Sequence, residues 1–325
     1  MAQYSSILGT GACLPRRAVS NQELTDFLAA QGVETSADWI ETRTGIKQRY
    51  FCDPDETNTT LASAAALQAL KIAGRKAEQV DLIVLATSTP DQIFPSTACL
   101  VQAGIGAHHA VAFDVQAVCS GFVYALTVAD AMMRAGQANN ALVIGSDVFS
   151  RLMDWQDRTT CVLFGDGAGA VYLEKSTEPG ILGCRLHSDG RLGHILNAKG
   201  RMEGGKIQGD PFLRMDGQSV FRQAVSVLGE SALALFQSLD FQLGELDFLV
   251  PHQANVRILQ AVAKKLKLSE DRVVVTVDQH GNTSAASVPL ALNHALEQKL
   301  IKKGDNVLLQ GVGGGFTWGS VLVRM

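Results

Sequence analysis

Short apolar runs alternate along the chain with longer segments whose apolar residues recur at helical spacing. The run Asp81-Leu-Ile-Val-Leu-Ala86 is typical of a strand buried on both faces, and residues 111–115 and 141–144 form similar runs. The segment from about Cys119 to Ala135 has apolar residues around much of its circumference and ends at Gly136. This order predicts a buried helix between strands, and therefore an α/β protein.

Two helix boundaries are marked by the residues that usually occupy them. Ser20 and Glu23 have the spacing of a capping box, which predicts the start of a helix. An alanine-rich segment, residues 61–73, predicts another helix, and Gly74 fits its C-cap.

The first half of the pattern returns in the second half at a constant offset of 166 residues. Asp81-Leu-Ile-Val matches Asp247-Phe-Leu-Val, Asn140-Ala-Leu-Val matches Asn306-Val-Leu-Leu, and Ala125-Leu126 matches Ala291-Leu292. We infer two related halves, residues 1–174 and 175–325, because Lys175-Ser-Thr-Glu-Pro-Gly has the composition of a linker. Their buried helices are expected to pack between two sheets, which gives a five-layered α/β/α/β/α architecture.

Composition excludes several classes of protein. The 325 residues are 46% hydrophobic and 18% charged, with a net charge of −4, whereas general nucleic-acid binding needs a broad basic surface. No apolar run reaches the roughly 18 residues that span a bilayer, and no basic segment precedes an apolar one at the N-terminus. The six cysteines form no C-x-x-C pair, so free thiols are expected, without disulfides or a metal site. We predict a cytoplasmic protein with no membrane partner.

Three separate motifs place reactive side chains at the ends of apolar strands. They are Val118-Cys119-Ser120-Gly121, Pro251-His252-Gln253-Ala254-Asn255 and His280-Gly281-Asn282-Thr283-Ser284. Cys119 follows a strand and opens a helix, where backbone N–H groups favour the thiolate and lower the pKa from about 8.5. This position predicts a nucleophile that forms a thioester, while the other five cysteines are interpreted as small buried apolar residues.

The sequence supports a functional role for His252 more directly than it does for Asn282. His252 ends an apolar strand, so its imidazole is expected to face outward from the sheet edge, and a neutral Nε2–H there is a hydrogen-bond donor for a thioester oxygen. Asn282 alone is typical of a loop or a cap, and the neighbouring His280 is an alternative catalytic group. The glycine-rich residues 311–315 lack the Lys-Ser/Thr of a phosphate loop and precede a strand; residues 164–170 fail the dinucleotide pattern for the same reason.

Several motifs together resemble one enzyme family. The chain resembles the thiolase superfamily, and within it the β-ketoacyl-acyl-carrier-protein synthase III enzymes that start bacterial fatty-acid synthesis. The likeness runs from Ile7-Leu-Gly-Thr-Gly to Gly313-Gly-Gly-Phe-Thr-Trp-Gly-Ser320. Its markers are Trp39-Ile-Glu-Thr-Arg-Thr-Gly-Ile46, Phe164-Gly-Asp-Gly-Ala-Gly-Ala170, the His252 motif, and His280-Gly-Asn-Thr-Ser-Ala-Ala-Ser287.

The resemblance assigns roles to individual residues. It implies catalysis by Cys119, His252 and Asn282, with His280 shaping the loop, and an oxyanion hole made by the N–H groups of Cys119 and Gly314. It implies a coenzyme A site at Trp39, Arg43, Arg158 and Asn255. It implies an acyl pocket at Phe94, Val118, Phe164 and Val312, with Phe94 reaching into the pocket of a partner subunit in a homodimer.

A basic segment predicts a second partner. Residues 255–267 have the pattern of a helix with Arg257, Lys264 and Lys265 on it, and Arg222 adds to this charge. Such charges ordinarily lie on a solvated surface helix. On an acidic chain, they also suit the docking of a strongly acidic acyl carrier protein.

The implied reaction is a decarboxylating Claisen condensation. Cys119 takes an acyl group, most simply acetyl, from its coenzyme A thioester. Malonyl-carrier protein then loses carbon dioxide, and the resulting enolate attacks the acyl-cysteine to give a 3-ketoacyl-carrier protein. The chemistry calls for neither a metal nor a redox cofactor.

Proteins with other activities would differ from this chain in their sequence motifs or in the result of an assay. A biosynthetic thiolase would have a second catalytic cysteine, and a chain-elongating synthase a second histidine in place of Asn282. A cysteine hydrolase would cleave thioesters without a malonyl acceptor, and a non-catalytic carrier-binding protein would not need the three reactive groups. Val118 and Val312 stand where many relatives have alanine and phenylalanine, so the length of the primer is left open.

Overall fold

The computed structural model describes residues 4–325. The strands are β1 (Tyr4–Cys13), β2 (Arg17–Ser20), β3 (Gln48–Phe51), β4 (Leu82–Ala86), β5 (Val111–Val115), β6 (Asn140–Val148), β7 (Asp166–Ser176), β8 (Ile181–Ser188), β9 (Leu196–Ala198), β10 (Arg201–Glu203), β11 (Lys206–Gln208), β12 (Leu213–Met215), β13 (Phe248–Pro251), β14 (Asn306–Gly313) and β15 (Thr317–Arg324). The α-helices are α1 (Asn21–Ala29), α2 (Ala37–Thr44), α3 (Asn58–Ala73), α4 (Thr97–Ile105), α5 (Gly121–Arg134), α6 (Gly217–Leu239), α7 (Val256–Lys265), α8 (Val277–His280) and α9 (Ser287–Glu297).

Two mixed sheets form the framework. The first has the order β1-β7-β6-β4-β5, and the second has the order β13-β14-β15-β8. Strand β4 pairs parallel with β5 and β6, and β13 pairs parallel with β14, while β6–β7 and β14–β15 are antiparallel. The interior strands β4, β6 and β14 are almost wholly buried, as expected for strands covered on both faces, whereas β5 lies at the edge and is partly exposed.

The helices and sheets stack in five layers. Helices α5 and α9 share one apolar cluster with strands of both sheets, so they form the central layer. Helices α3 and α4 cover the outer face of the first sheet, and α6 and α7 cover the outer face of the second. The predicted α/β/α/β/α architecture is therefore confirmed.

The predicted repeat is visible in the order of the elements. Strands β13 and β14 and helix α9 each begin 166 residues after β4, β6 and α5. The chain passes from the first sheet to the second between the end of β7 at Ser176 and the start of β8 at Ile181. This crossing lies inside the segment whose composition predicts a linker.

The local predictions agree with the structure. The Ser20 N–H donates to the Glu23 carboxylate across 2.8 Å, which completes the predicted capping box of α1. Gly74 ends α3 with a φ of 64°, in the left-handed region that favours glycine. Helix α5 has no exposed residue before Ala131, so it is buried as predicted. Among residues 4–325, no helix combines the length and the apolar character needed to cross a membrane.

Candidate active site

Cys119 lies in a tight turn between β5 and α5. A single 3-10 turn, Val118–Ser120, joins the two elements, and Val118 has a φ of 48°, which is unusual for a β-branched residue. Strand β14 passes directly beside this turn. A Cβ added at Gly313 would lie 2.7 Å from the backbone nitrogen of Cys119, so only glycine permits this close approach.

The thiol of Cys119 corrects one prediction from the sequence. The start of a helix was expected to lower its pKa, but burial of the side chain raises the pKa to about 12. The nearby carboxylate of Asp147 raises it further. Desolvation penalises the thiolate, and Cys119 is only 3% exposed, so this effect outweighs the helix dipole in the free protein. Near neutral pH, the free protein holds a thiol at this position.

His252 follows the end of β13 and is held by two hydrogen bonds in the core. Its backbone N–H donates to the carbonyl oxygen of Gln310 on β14, at 2.8 Å. Its Nδ1 lies 2.6 Å from the hydroxyl oxygen of Ser287, the first residue of α9. Burial lowers the pKa of the imidazole to about 3, so the ring is neutral near pH 7.

Asn282 occupies the loop between α8 and α9, and its amide orientation is defined by the fold. Its backbone N–H donates to the Leu163 carbonyl at 2.9 Å, and its Oδ1 accepts the N–H of Ser284 at 2.9 Å. Since Oδ1 is engaged, the Nδ2 donor is the free end of the amide; it has no partner within residues 4–325. Asn282 therefore presents a hydrogen-bond donor.

One cavity of about 770 Å³ brings the three reactive side chains together. Cys119, His252 and Asn282 all line it, as do Phe164 and Val312 of the predicted acyl pocket. The ring of Phe164 stacks on Phe149 at 5.0 Å, so its position in the wall is fixed. His280, the alternative catalytic residue, does not line this cavity.

The outer end of the cavity is basic and aromatic. Trp39, Arg43, Arg222, Asn255 and Arg257 line it there, and the three arginines are exposed; we call these five residues the mouth. The Asn255 side chain caps α7 by accepting the N–H of Arg257 at 2.9 Å, and it donates to the Arg43 carbonyl at 3.2 Å. Asn255 thus holds Arg43 in place and has little free capacity for a ligand.

Arg158 is predicted in the coenzyme A site but does not line the cavity. Its guanidinium lies over the Trp39 ring, 5.0 Å from the centroid, and donates to the Glu34 carbonyl at 2.7 Å. It therefore supports Trp39 from outside, and it is exposed to solvent.

Phe94 and Val118, both predicted in the acyl pocket, do not line the cavity of the single chain. Phe94 is 81% exposed on a loop and does not line the cavity. The side chain of Val118, in a turn with a φ of 48°, packs against the neighbouring apolar cluster that contains Phe149 and Phe164. Sequence alone does not show which way a strained turn directs its side chains.

The two predicted donors of the oxyanion hole lie on adjacent segments. Gly313 is packed against the Cys119 turn, and Gly314 follows it at the end of β14. The Gly314 carbonyl accepts the Thr317 hydroxyl at 3.0 Å, while its N–H has no acceptor within the described part of the chain. Gly314 does not itself line the cavity, so its proposed role rests on this free donor.

The docking lysines do not form a single patch. Lys264 and Lys265 lie on α7 away from the cavity lining. Lys265 donates to the Ser226 carbonyl on α6 at 2.9 Å and pairs with Glu230 at 3.5 Å. Lys265 therefore joins two helices, while Lys264 remains exposed with no ion pair within residues 4–325.

Sequence reasoning missed part of the apolar wall. Leu196, Met215, Phe221 and Phe316 line the cavity. Leu196 and Met215 lie in the long connection between β8 and α6, and Phe221 lies near the start of α6; no local pattern reveals the path of this connection. Of these residues, Phe316 is the easiest to predict from the sequence, because it directly follows the glycine-rich residues 311–315.

A buried cysteine, a neutral histidine and an amide donor, gathered where two α/β halves meet, define a condensing acyltransferase of the thiolase fold. Residues 113–190 match the family described as 3-oxoacyl-[acyl-carrier-protein] synthase III, and residues 236–325 match the C-terminal region of the same family. The chain is 60% identical, over 99% of its length and 98% of the relative's, to the β-ketoacyl-[acyl-carrier-protein] synthase III of Bordetella petrii. The chain belongs to the 3-oxoacyl-[acyl-carrier-protein] synthase III family.

Solved structures agree with this assignment. The 3-oxoacyl-[acyl-carrier-protein] synthase III of Aquifex aeolicus superposes with a TM-score of 0.92 at 43% identity, covering 99% of this chain and 100% of that one. The corresponding enzyme of Pseudomonas aeruginosa gives a TM-score of 0.92 at 42% identity, with 99% and 98% covered.

Proposed function

We propose that the chain joins an acetyl group from acetyl-CoA to malonyl-acyl-carrier protein and so starts fatty-acid synthesis. The observation that carries this proposal is the shared cavity, which is lined by a buried thiol and by two side chains that each have one hydrogen-bonding nitrogen without a partner in residues 4–325. A thiol supplies the acyl acceptor, and the two donors suit a carbonyl oxygen that becomes an enolate. The proposed reaction has two half-reactions, and different residues act in each of them.

In the first half-reaction, Cys119 sulfur attacks the acetyl thioester and CoA departs. The Cys119 thiol loses its proton and the departing sulfur gains one, so the step is balanced without net charge. Because the pKa of the free thiol is raised, the proton leaves as the new bond forms. The N–H groups of Cys119 and Gly314 are assigned to the developing oxyanion, a kind of contact worth about 3 kcal/mol per donor.

In the second half-reaction, malonyl-carrier protein enters the same cavity. His252 and Asn282 donate to its thioester oxygen, and cleavage of the bond to the carboxylate releases carbon dioxide and leaves an enolate. The enolate carbon attacks the acetyl-Cys119 carbonyl, the sulfur of Cys119 leaves as a thiolate, and uptake of one proton from solvent restores the thiol. Two neutral donors stabilise a developing oxyanion better than the neutral carbonyl that precedes it, which is the requirement for catalysis.

The mouth is assigned to the phosphates and adenine of coenzyme A. Arg43, Arg222 and Arg257 surround the entry to the cavity, and Arg158 stacks on Trp39 beside them. Guanidinium groups suit phosphate because they donate paired hydrogen bonds. The proposed reaction calls for neither a metal nor a redox cofactor, and its proposed location is the cytoplasm.

Carrier-protein docking can be separated from coenzyme binding by two substitutions. Lys264 is exposed and remote from the cavity, whereas Arg257 lines the mouth and donates to the Thr42 carbonyl at 3.0 Å. Lys264→Glu is expected to raise the KM for malonyl-carrier protein roughly three- to tenfold, about 1 kcal/mol, and to leave the KM for acetyl-CoA unchanged. Arg257→Glu is expected to raise both KM values. Steady-state kinetics with each substrate varied in turn measures the difference.

The control for this comparison is Lys71→Glu on α3, which makes the same charge change on an exposed helix that contributes nothing to the cavity. It should leave both constants unchanged. Equal increases in both KM values for Lys264→Glu would remove this face of α7 from the docking site.

Subunit pairing is proposed from the exposed edge of the first sheet. Strand β5 is the last strand in the sheet order, and Val111 on it is 58% exposed. Ile93 and Phe94 are 70% and 81% exposed nearby in sequence, more apolar surface than a soluble loop ordinarily shows. Pairing of two copies along this edge would cover these residues and bring Phe94 to the partner's cavity.

The primer preference tests this pairing. Light scattering is expected to give twice the chain mass of 34.7 kDa. Wild-type protein should prefer acetyl-CoA in a panel of straight and branched primers, and Phe94→Ala should accept four- to eight-carbon primers at least about tenfold better, since an aromatic side chain is removed from the partner's pocket. A fully active monomer, or an unchanged primer range in Phe94→Ala, would contradict the proposal. Ile72→Ala, another exposed apolar residue, is the control.

A further inference from the structure

The side chain of His252 has one partner whose chemistry fixes where the ring proton lies. Ser287 is 1% exposed, and its Oγ is 2.6 Å from Nδ1 of His252. The same Oγ accepts the backbone N–H of Gln253 at 3.3 Å. The other ring nitrogen, Nε2, has no hydrogen-bond partner within residues 4–325 and is not among the buried unpaired atoms, so it opens on the cavity.

A count of protons decides between the two neutral forms of the ring. The Ser287 hydroxyl has one proton to donate, and Nδ1 is its only acceptor in the described part of the chain. If Nδ1 carried the ring proton, two N–H groups would point at one oxygen, and the buried hydroxyl proton would have no acceptor. Buried hydroxyl groups are rarely left in that state. The arrangement in which every donor has an acceptor has Ser287 donating to Nδ1.

We propose that Ser287 is a positioning residue that keeps the proton of His252 on Nε2, so that the ring donates to the malonyl thioester and does not act as the base for Cys119. This inference rests on the proposed role of His252 in the second half-reaction. A nitrogen that already carries a proton cannot accept another in the neutral ring, so the first half-reaction proceeds without proton transfer to Nε2. Because burial keeps the ring neutral, the ring proton is expected to stay on Nε2 throughout the physiological pH range.

The first test is made on the wild-type protein without substrate, so its result does not depend on whether a variant folds. Histidine labelled with nitrogen-15 distinguishes a protonated ring nitrogen from an unprotonated one by chemical shift, and His252→Gln assigns the signals. The expected result is a protonated Nε2 and an unprotonated Nδ1 at pH 7. A protonated Nδ1 would overturn the proposal, whatever the activity of the enzyme.

The second test compares the two half-reactions. Ser287→Ala is expected to slow decarboxylation of malonyl-carrier protein roughly 10- to 100-fold, the size seen when a partner that orients a histidine is removed, and to keep self-acylation by acetyl-CoA within about twofold of wild type. Ser231→Ala is the matched control. It removes a hydroxyl that is also buried, bonded at 2.9 Å to Ser320, on a helix outside the catalytic turn, and both rates should be unchanged.

A double-mutant cycle separates positioning from a general structural effect. If Ser287 acts through His252, Ser287→Ala should cause no further loss of decarboxylation in a His252→Ala background. Multiplicative losses would show that Ser287 acts elsewhere and would overturn the inference. Wild-type decarboxylation by His252→Ala alone would instead refute the proposed role of His252, so the two failures are distinguishable.

Discussion

Cys119→Ala will take up no acetyl group from acetyl-CoA, while the wild-type protein will gain one per chain. Alanine has no sulfur to hold the acyl intermediate, and loss of a nucleophile typically reduces turnover about a millionfold, to background here. Mass spectrometry of the intact protein measures the acetyl adduct, and release of 3-ketoacyl-carrier protein measures turnover.

The matched control is Cys161→Ala. Cys161 is also fully buried, and burial likewise raises its pKa to about 12, but it does not line the cavity. This variant should acetylate as the wild type does. Acetylation of Cys119→Ala at another residue of the cavity would show that the nucleophile has been misassigned.

Asn282→Ala will still accept the acetyl group but will lose condensation by a factor of about 100 or more. The amide is proposed to act only when the malonyl enolate develops, and removal of a donor to a developing oxyanion has an effect of this size. Single-turnover acetylation and steady-state condensation, measured on the same preparation, separate the two steps.

Two further variants sharpen this test. Asn282→Asp keeps an acceptor for the Ser284 N–H but has no Nδ2–H, so it should lose condensation although the loop contact remains. Asn293→Ala removes another buried amide, bonded to Thr10 at 2.7 Å outside the catalytic cavity, and should condense normally. Wild-type condensation by Asn282→Ala would exclude the amide as an essential donor.

The layered fold was predictable because its strongest determinants are local or repeated. Short continuous apolar runs such as residues 82–86 are typical of strands buried on both faces, and the offset of 166 residues links each element of the central layer to a counterpart. The same reasoning placed Cys119 and His252 at strand ends. The same expectation is wrong for Asn282, which lies between two helices, α8 and α9, and whose position depends on hydrogen bonds to Leu163 and Ser284.

The pKa values and the side-chain contacts of the site were harder to predict from the sequence than the fold. A helix start is visible in the sequence around Cys119, but burial, which raises its pKa, involves segments such as β14 that are far away in the chain. The contact between His252 and Ser287 is not visible in the sequence for the same reason, because the two residues are 35 positions apart. Lys265 was assigned to a partner protein because its contact with Glu230 on another helix cannot be read from one helix alone.

The left-handed turn at Val118 has a counterpart 166 residues later, where Ser284 has a φ of 50°. Both turns precede a helix of the central layer, and the residue that follows is cysteine in the first half and alanine, Ala285, in the second. Shared strain at equivalent places indicates that a single ancestral segment was duplicated and that only one copy retains a sulfur. The two halves now contribute different reactive residues to one site, so neither half expressed alone is expected to be an active enzyme.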